Sequence, residues 1–424
     1  MRETGLSERR DHGRVVVVGA GIIGICCALF LRRRGFAVTV VDPEAPCSQT
    51  SSGNAGGFAV TEVMPMSAPG LIWRVPGWLF DPLGPLAVRW RYLPQLLPWL
   101  VRFIGSGSAA NIQPRARALA ALMTSTFDDF MPLLQAAGVA DSVISAGALT
   151  VYRDRAASRA DALEWQTKRA CGIRCEELDG ADVHDLEPDL SPDLRFGVFT
   201  PDWRHTLDPH RLATALVDLL QREGGAVRRG RVTIVESDHG GTHSVRLQDG
   251  SALLADRLVV AAGAWSRPFA RQLDNLNVAL ESERGYNTTL PTPGVQLRRE
   301  VIFAERKFVA TPMAMGLRIG GAAEFAGLTA PPNYKRCAAL LNLARTYLPA
   351  LRTEGGSQWM GHRPSTSDSL PVISRSPRHA NVFYAFGHGH LGLTQAATTG
   401  RLIAELACGD TPSIDIEPFN VTRF

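Results

Sequence analysis

Three glycines and one acid give this 424-residue chain its first chemical meaning. Residues 14–42 read RVVVVGAGIIGICCALFLRRRGFAVTVVD, a β-branched run that meets Gly19, Gly21 and Gly24 and continues into an apolar helical pattern. After Gly35 comes a second strand, closed by Asp42. Gly19 admits a tight strand-to-helix turn, Gly21 lets a pyrophosphate approach the backbone, and Gly24 lets helix and strand pack closely. The turn from Gly19 through Ala20, Gly21, Ile22 and Ile23 to Gly24 thus offers unpaired helix N–H groups and partial positive charge to phosphates. Asp42, about 20 residues on, can accept hydrogen bonds from a ribose 2′-hydroxyl. A glycine-rich turn of purely structural meaning needs none of this. Strand, helix, second strand and acid arriving in order point to a dinucleotide site.

A second glycine set lies near the other end. Residues 381–392 read NVFYAFGHGHLG, so Gly387, Gly389 and Gly392 repeat the spacing, with a strand before them and a helix over 393–408 after. Only about 30 residues remain beyond the motif, with no second strand bearing a ribose-binding acid, so a separate dinucleotide unit is not expected. The helix can instead aim its N-terminus at something negative held by the first site. A reduced flavin fits, because reduction puts negative charge on its N1–C2=O edge. One nucleotide turn at the beginning and one glycine loop at the end suggest a single long cofactor, FAD.

Composition sets the bounds. The length allows two or three domains, and 45% hydrophobic with 20% charged residues fits an ordinary globular protein. A net charge of +4 without any dense Lys/Arg block argues against nucleic acid as a partner. Seven cysteines form no recognisable zinc set, so no metal is expected and reduced thiols in a reducing compartment are. The short charged N-terminus is not a signal peptide, and no run of 18 uninterrupted apolar residues exists, so a cytoplasmic location is expected.

The elements that must position these groups can be outlined. Residues 147–153 and 196–200 read as strands, and 111–140 as helical with Gly138 a C-cap. Asp208 and Pro209 open a helix with an apolar stripe at Leu212, Leu216, Leu219 and Leu220, closed by Gly224 and Gly225. Residues 232–235 read as a strand, and the apolar run 258–262 as a buried parallel one. Residues 300–321 alternate like an antiparallel meander. Segment 71–104 holds Trp73, Trp78, Trp90 and Trp99, half the tryptophans of the chain, with Arg74, Arg89, Arg91 and Arg102 and five prolines. It suits either a membrane or partner surface on the inner face of the cell membrane, or Pro-bounded helices over a pocket. The fold class expected is α/β with α+β elements, a Rossmann-like FAD-binding domain interleaved with a substrate domain on a largely antiparallel sheet. The boundaries are drawn at 13–75, 205–285 and 355–424 for the first and 76–204 and 286–354 for the second, with 1–12 a flexible tail.

The chain resembles the D-amino-acid oxidase superfamily of FAD enzymes, and within it the bacterial D-amino-acid dehydrogenase small subunits and D-hydroxyproline dehydrogenases. The likeness is carried by GAGIIG with Asp42, TSSGNAGGF at 50–58, RGYNTTLP at 284–291, IGGAAEFAG at 319–327, GHRPSTSDSLPVI at 361–373 and GHGHLGLTQAATTGRLIAELACGDTP at 387–412. It implies that Thr50, Ser51 and Ser52, before the turn holding Gly56 and Gly57, face the pyrophosphate or ribityl chain. Val232 would meet the adenine through its backbone and Gly263 would lie near the phosphates. Gly389, His390, Leu391, Gly392 and Thr394 would hold the pyrimidine edge of the flavin. Relatives with covalent flavin carry a cysteine near the Arg-Pro motif; none lies between Cys337 and Cys408 here, so FAD is expected to be noncovalent.

The resemblance also assigns chemistry. Arg363, in GHRP, is expected to grip the substrate carboxylate through its planar guanidinium, which a lysine would do less well. Tyr286 either hydrogen-bonds that carboxylate, closes the pocket, or is a strand tyrosine. His388 either tunes flavin or substrate amine, or is structural; His390 would contribute backbone. The expected reaction is oxidation of a D-amino or D-imino acid, D-proline or D-hydroxyproline among them, by hydride transfer from Cα to flavin N5, with electrons passed to a quinone or carrier. An oxygen-using oxidase of glycine, sarcosine or a similar amine, and a flavin-carrying relay subunit that needs a partner, are the alternatives.

Overall fold

A computed structural model describes residues 12–67, 69, 86–237 and 241–424. Residues 1–11 of the tail expected over 1–12, together with Arg74, Trp73 and Trp78 of the Trp/Arg segment, lie outside the described residues.

Val15 to Val18 are buried on both faces, and a strand of that kind belongs inside a sheet. It sits there. Arg14–Val18 pairs in parallel with Ala37–Asp42 on one side and Arg257–Val260 on the other. Ala226–Arg229 extends the sheet beyond Ala37–Asp42, Val382–Phe386 lies parallel beyond Arg257–Val260, and Val372–Arg375 closes that edge antiparallel. One face carries the helices Ile22–Arg33, Pro209–Arg222 and Gly392–Cys408, whose buried side chains join one apolar core. The other face carries an antiparallel three-stranded sheet, Val232–Ser237, His243–Leu247 and Ala252–Ala255, over a second core.

The first and last helices meet where a side chain is missing. A Cβ on Gly400 would lie 2.7 Å from the backbone carbon and oxygen of Cys26. The two ends of the chain therefore touch through backbone, not side chain.

A second sheet of nine strands runs Ser357–Thr366, Leu280–Leu290, Gly316–Phe325, Phe308–Met313, Glu300–Phe303, Ala148–Tyr152, Phe196–Thr200 and Glu176–Asp179, with Leu86–Val88 pairing Gly316–Phe325. The meander expected over 300–321 is its centre. Most of its pairs are antiparallel; Glu300–Phe303 with Ala148–Tyr152, and Leu86–Val88 with its partner, are parallel. The long strand Leu280–Leu290 runs unbroken through position 285/286, where the division between domains was drawn. Helix Lys335–Tyr347 backs this sheet over its own core. A small sheet of Gly57–Phe58, Arg204–Thr206 and Val143–Ile144 adds a fourth layer.

Local signals mostly act where they stand. Asp208 caps Pro209–Arg222 by accepting from the His210 and Arg211 amides. The helical stretch 111–140 is two helices, Ala109–Thr124 and Thr126–Ala137, and Gly138 ends the second at φ +73°. In the Trp/Arg segment, Trp90–Tyr92 forms a 3-10 turn leading into the helix Leu93–Ser106.

Valine at Gly400 would gain about 1 kcal/mol or less of helix propensity but drive two methyls into the backbone of the facing helix. A net loss of about 2–3 kcal/mol is expected for Gly400→Val. A thermal midpoint equal to that of the parent would show that the helices can part without cost.

Candidate active site

The C-terminal ends of the parallel strands open into a cavity of about 1060 Å³ that runs from the first glycine turn to the antiparallel sheet. Ligands of open α/β sheets bind at such strand ends. At the near end, Gly19 has φ +111° and its missing Cβ would strike the Ala261 carbonyl oxygen at 2.3 Å. A Cβ on Gly24 would strike the Gly19 carbonyl oxygen at 1.9 Å. These two glycines are required by packing. Gly21 differs, since its Cβ would meet nothing nearer than the Ser51 hydroxyl at 3.5 Å and it faces the cavity. The Ser51 hydroxyl accepts from the Ile22 amide at the helix start. Asp42 accepts from the amides of Ala20 (2.8 Å) and Glu44 (2.9 Å), one on each oxygen. Each oxygen keeps a second lone pair for a ligand. Burial raises its pKa, and those two amides work against the rise.

At the far end two loops converge on one short stretch of strand. The Thr50 hydroxyl donates to the carbonyl of His362 (3.0 Å), and the Gly389 amide donates to that of Pro364 (2.9 Å). Arg363 stands between them. Its Nη1 donates to Glu283 Oε1 at 2.8 Å and, more weakly, to the Ala322 carbonyl at 3.4 Å. Its guanidinium lies across Gly285, where a Cβ would come within 2.4 Å of Cζ. Nε and Nη2 make no hydrogen bond among the described residues, and the side chain is 25% exposed, into the cavity. That free edge has the geometry to take a carboxylate through two parallel bonds.

The bulge in the neighbouring strand explains the Ala322 carbonyl. The register between Leu280–Leu290 and Gly316–Phe325 slips at Gly285/Tyr286, and Ala322 takes φ +54°. Bulges of this kind re-aim backbone groups beside active sites.

Most of the residues expected at the cofactor come together here. Gly19, Ala20, Gly21, Ile22, Ile23, Asp42, Thr50, Ser51, Gly56, Gly57, Val232, Gly263, Gly389, His390 and Gly392 line the cavity, as do Arg363, Tyr286 and His388. Gly24, Ser52, Leu391 and Thr394 do not. Ser52 bonds within its own turn, to the carbonyls of Ser48 and Gln49, and Thr394 accepts from the Ala59 amide, fixing the loop that holds Gly57. Leu391 is the N-cap of the last helix.

Tyr286 is buried, and its hydroxyl is engaged on both sides. It donates to Glu324 at 2.5 Å and accepts from the Asn333 amide at 3.0 Å, so its ring rather than its proton faces the cavity. His388 shares a hydrogen bond through Nε2 with the Thr399 hydroxyl, while Nδ1 has no partner among the described residues. Burial pushes its pKa down to about 3, so the imidazole is neutral at physiological pH. His390 is exposed to the cavity yet deep between protein walls, and that depth lowers its pKa. Its ring as well as its backbone therefore belongs to the site.

Several cavity residues carry no signal in isolation. Asn287 donates to the Gly53 carbonyl at 2.6 Å, tying the 50–57 loop to the large sheet. His362 shares a hydrogen bond with Ser282, and burial pushes its pKa down to about 4. Glu300 is buried against Gly57 and accepts from the Trp203 indole at 3.0 Å. Burial, helped by the nearby Glu62 carboxylate, pushes Glu300 up to about 8. Glu62 in turn pairs with buried Lys168 at 2.6 Å, which also holds Glu164 at 2.9 Å. The helix Leu93–Ser106 roofs this end: Leu96, Trp99, Leu100 and Phe103 line the cavity, and the Trp99 indole donates to the Ser365 carbonyl at 3.1 Å.

A parallel sheet with a glycine turn and ribose acid, joined to an antiparallel sheet presenting an arginine, defines a flavoprotein oxidoreductase. Residues 14–406 match the model of the DAO family of FAD dependent oxidoreductases, and the chain belongs to that family. It is 35% identical to a D-amino-acid oxidase of Bradyrhizobium diazoefficiens, over 97% of this chain and 98% of that protein. Its fold is that of the glycine oxidase from Geobacillus kaustophilus (22% identity, TM-score 0.73, covering 97% and 99% of the two chains). Its fold matches that of L-proline dehydrogenase from P. horikoshii with the same TM-score of 0.73, at 17% identity and covering 98% of each chain.

The residues present fit FAD. Space is open where a Cβ would stand on Gly263, with nothing within 4 Å, and on Gly389 and Gly392, whose nearest neighbours are 4.0 and 3.9 Å away. Asp42 has lone pairs for a ribose, and the N-cap residues Gly21 and Leu391 of helices Ile22–Arg33 and Gly392–Cys408 make no side-chain cap, Ser51 taking the Ile22 amide alone. Among the described cysteines only Cys47 lines the cavity, and burial lifts its thiol to about 12, out of the range of a nucleophile.

Glu300 yields a signed test. Its folded pKa of about 8 lies above the ordinary 4.5, so the unfolded chain loses this proton first. Its contribution to stability is present in full below pH 4.5 and is lost as pH rises towards 8. Glu300→Gln removes that slope. The variant should therefore gain thermal stability relative to the parent between pH 4.5 and 8, by up to a few kcal/mol. Parallel midpoint-versus-pH curves for the two proteins would contradict a neutral Glu300.

Proposed function

We propose that this chain oxidises D-amino or D-imino acids, cyclic ones such as D-proline among them, at the Cα–N bond. The carrying observation is the Nε/Nη2 edge of Arg363, free and facing the cavity between the two loops that hold the flavin end. The name of the Bradyrhizobium relative, and the L-proline dehydrogenase among the structural neighbours, support an α-amino or α-imino acid as the class. Bound FAD supplies the two-electron acceptor for the Cα hydride.

The protein's own part is orientation. Arg363 takes the carboxylate through two bonds and so fixes the α-carbon; its Nη1 is already anchored on Glu283, so little freedom is lost on binding. The helix Leu93–Ser106 and the indole of Trp99 close the site from above and keep water out. His388 and His362, neutral through burial, put no positive charge on the cavity wall. The imine product is hydrolysed to a keto acid and ammonia, whereas a cyclic imino acid leaves as a cyclic imine. We take FAD to be held without a covalent bond.

Electron delivery is the second part of the proposal. The outer side of the roofing helix exposes Leu97, Val101 (62%) and Ile104, with Trp90 (69%) at its start and Arg91 and Arg102 beside them. No acid occurs from 86 to 127. That face suits a quinone-bearing membrane or a carrier protein, which favours a dehydrogenase. The oxidase among the relatives favours oxygen. No helix among the described residues is long and apolar enough to cross a membrane.

Arg363→Ala should lower kcat/KM for the best D-substrate by roughly 100-fold or more, the loss expected when a desolvated charge pair is removed. Arg363→Lys should fall between, because charge remains and the two-point grip does not. Anaerobic bleaching of bound flavin across a panel of D-amino acids, D-proline and hydroxyprolines reads both. Unchanged saturation in the alanine variant would remove Arg363 from this role. The acceptor is read separately: peroxide formed per substrate oxidised should be well below one, with a soluble quinone or dye reduced in its place. Stoichiometric peroxide would make the protein an oxidase.

A further inference from the structure

Arg363 is not presented to the cavity alone. Glu283 lies directly across from it in register between Leu280–Leu290 and Ser357–Thr366. Its carboxylate is buried yet lines the same cavity. Oε1 accepts from Arg363 Nη1 at 2.8 Å and Oε2 from the Ser365 hydroxyl at 3.1 Å. Each oxygen keeps a lone pair beyond these bonds. The cavity wall at this point is therefore a fixed dipole, with a cation whose bidentate edge is free and an anion with acceptor capacity to spare.

An α-amino acid carries the complementary pair, a carboxylate and a nitrogen on the same carbon. We propose that Glu283 accepts the hydrogen bond of the substrate's α-nitrogen, so that the Arg363–Glu283 pair selects amino and imino acids against carboxylic acids that lack the nitrogen. This rests on the reading of Arg363 given above and adds to it a reason for the substrate class. The nitrogen of an amine, an ammonium or a ring imino acid each carries an N–H that can donate to Glu283. A carboxylic acid without nitrogen meets the same arginine but offers Glu283 no N–H. It displaces water from a buried charged acceptor without replacing the lost hydrogen bond, and that is what rejects it.

The other groups facing Glu283 leave that part to it. Arg363 and Ser365 are its fixed donors, and His390, its pKa lowered chiefly by burial, lies within electrostatic range. Tyr286 has its proton on Glu324 and its lone pair on the Asn333 amide. A merely structural Glu283, a prop for the guanidinium, would leave the discrimination between the two ligand types untouched.

The holoenzyme decides between them. Dissociation constants of D-proline and cyclopentanecarboxylate, and of D-alanine and propanoate, are read from the perturbation or bleaching of the flavin spectrum without oxygen. The parent should bind each amino or imino acid at least tenfold more tightly than its nitrogen-free partner. Glu283→Gln should weaken D-proline and D-alanine about tenfold and tighten the plain carboxylates, two shifts of opposite sign. Equal weakening of both types would make Glu283 a prop and overturn the proposal. If Glu283→Gln fails to fold, the parent alone suffices: equal or tighter binding of the nitrogen-free acids would overturn it. Bleaching by amino acids without any such preference would sink the role of Glu283 alone, whereas no response to any amino acid would sink the substrate class with it.

Discussion

Two hydrogen bonds to neighbouring carbonyls carry the organisation of this molecule. Thr50 holds the carbonyl before Arg363 and Gly389 the carbonyl after it. One donor comes from the loop behind the first glycine turn and the other from the glycine loop near the C-terminus. The two loops proposed to cradle FAD and the arginine proposed to grip a carboxylate are thus a single backbone construction, and a shift of either loop moves the arginine. The contact between Cys26 and Gly400 serves the same end on the far side, since it leaves no side chain that could yield between the helices carrying the two loops. Positioning of reacting groups to within a fraction of an ångström requires rigidity of this kind.

Electrostatically the cavity has two characters. The adenosine end offers amides and one half-buried acid, a set suited to phosphates and a ribose. The substrate end holds ionisable groups in pairs or in neutral form: Arg363 with Glu283, Lys168 between Glu62 and Glu164, Glu300 and His388 without charge near neutral pH. Unpaired charge would be costly there. A lining of paired or neutral groups leaves the Arg363–Glu283 dipole as the one field aimed into that end of the cavity.

The features legible in the sequence are those whose cause is local. Gly19 by its own positive φ of +111° and Gly24 by the nearby Gly19 carbonyl are fixed within the strand, turn and helix, and Asp208 with Pro209 opens a helix whatever surrounds it. The meander over 300–321 and the arginine of GHRP were likewise readable, the latter by resemblance. Glu283 and Glu300 were not. Among 41 acidic residues nothing marks them until the register of Leu280–Leu290 and the indole of Trp203 place them in the cavity wall. Tyr286 shows the converse, since its motif marks it, while the fate of its hydroxyl depends on Glu324 and Asn333, both distant in sequence. Thr394 and Ser52 sit in the right motifs, but their side chains serve the loops rather than the cavity.

The bulge at Ala322 has one more implication. Its left-handed backbone is a conformation that glycine adopts freely and alanine holds at about 1 kcal/mol. Glycine already stands at 320 and 321, yet the residue whose carbonyl meets the guanidinium carries a methyl group that lines the chamber. A hydrogen in its place would relax the chain and widen the chamber beside the guanidinium. The strained methyl therefore acts as a spacer, narrowing the room left against the arginine.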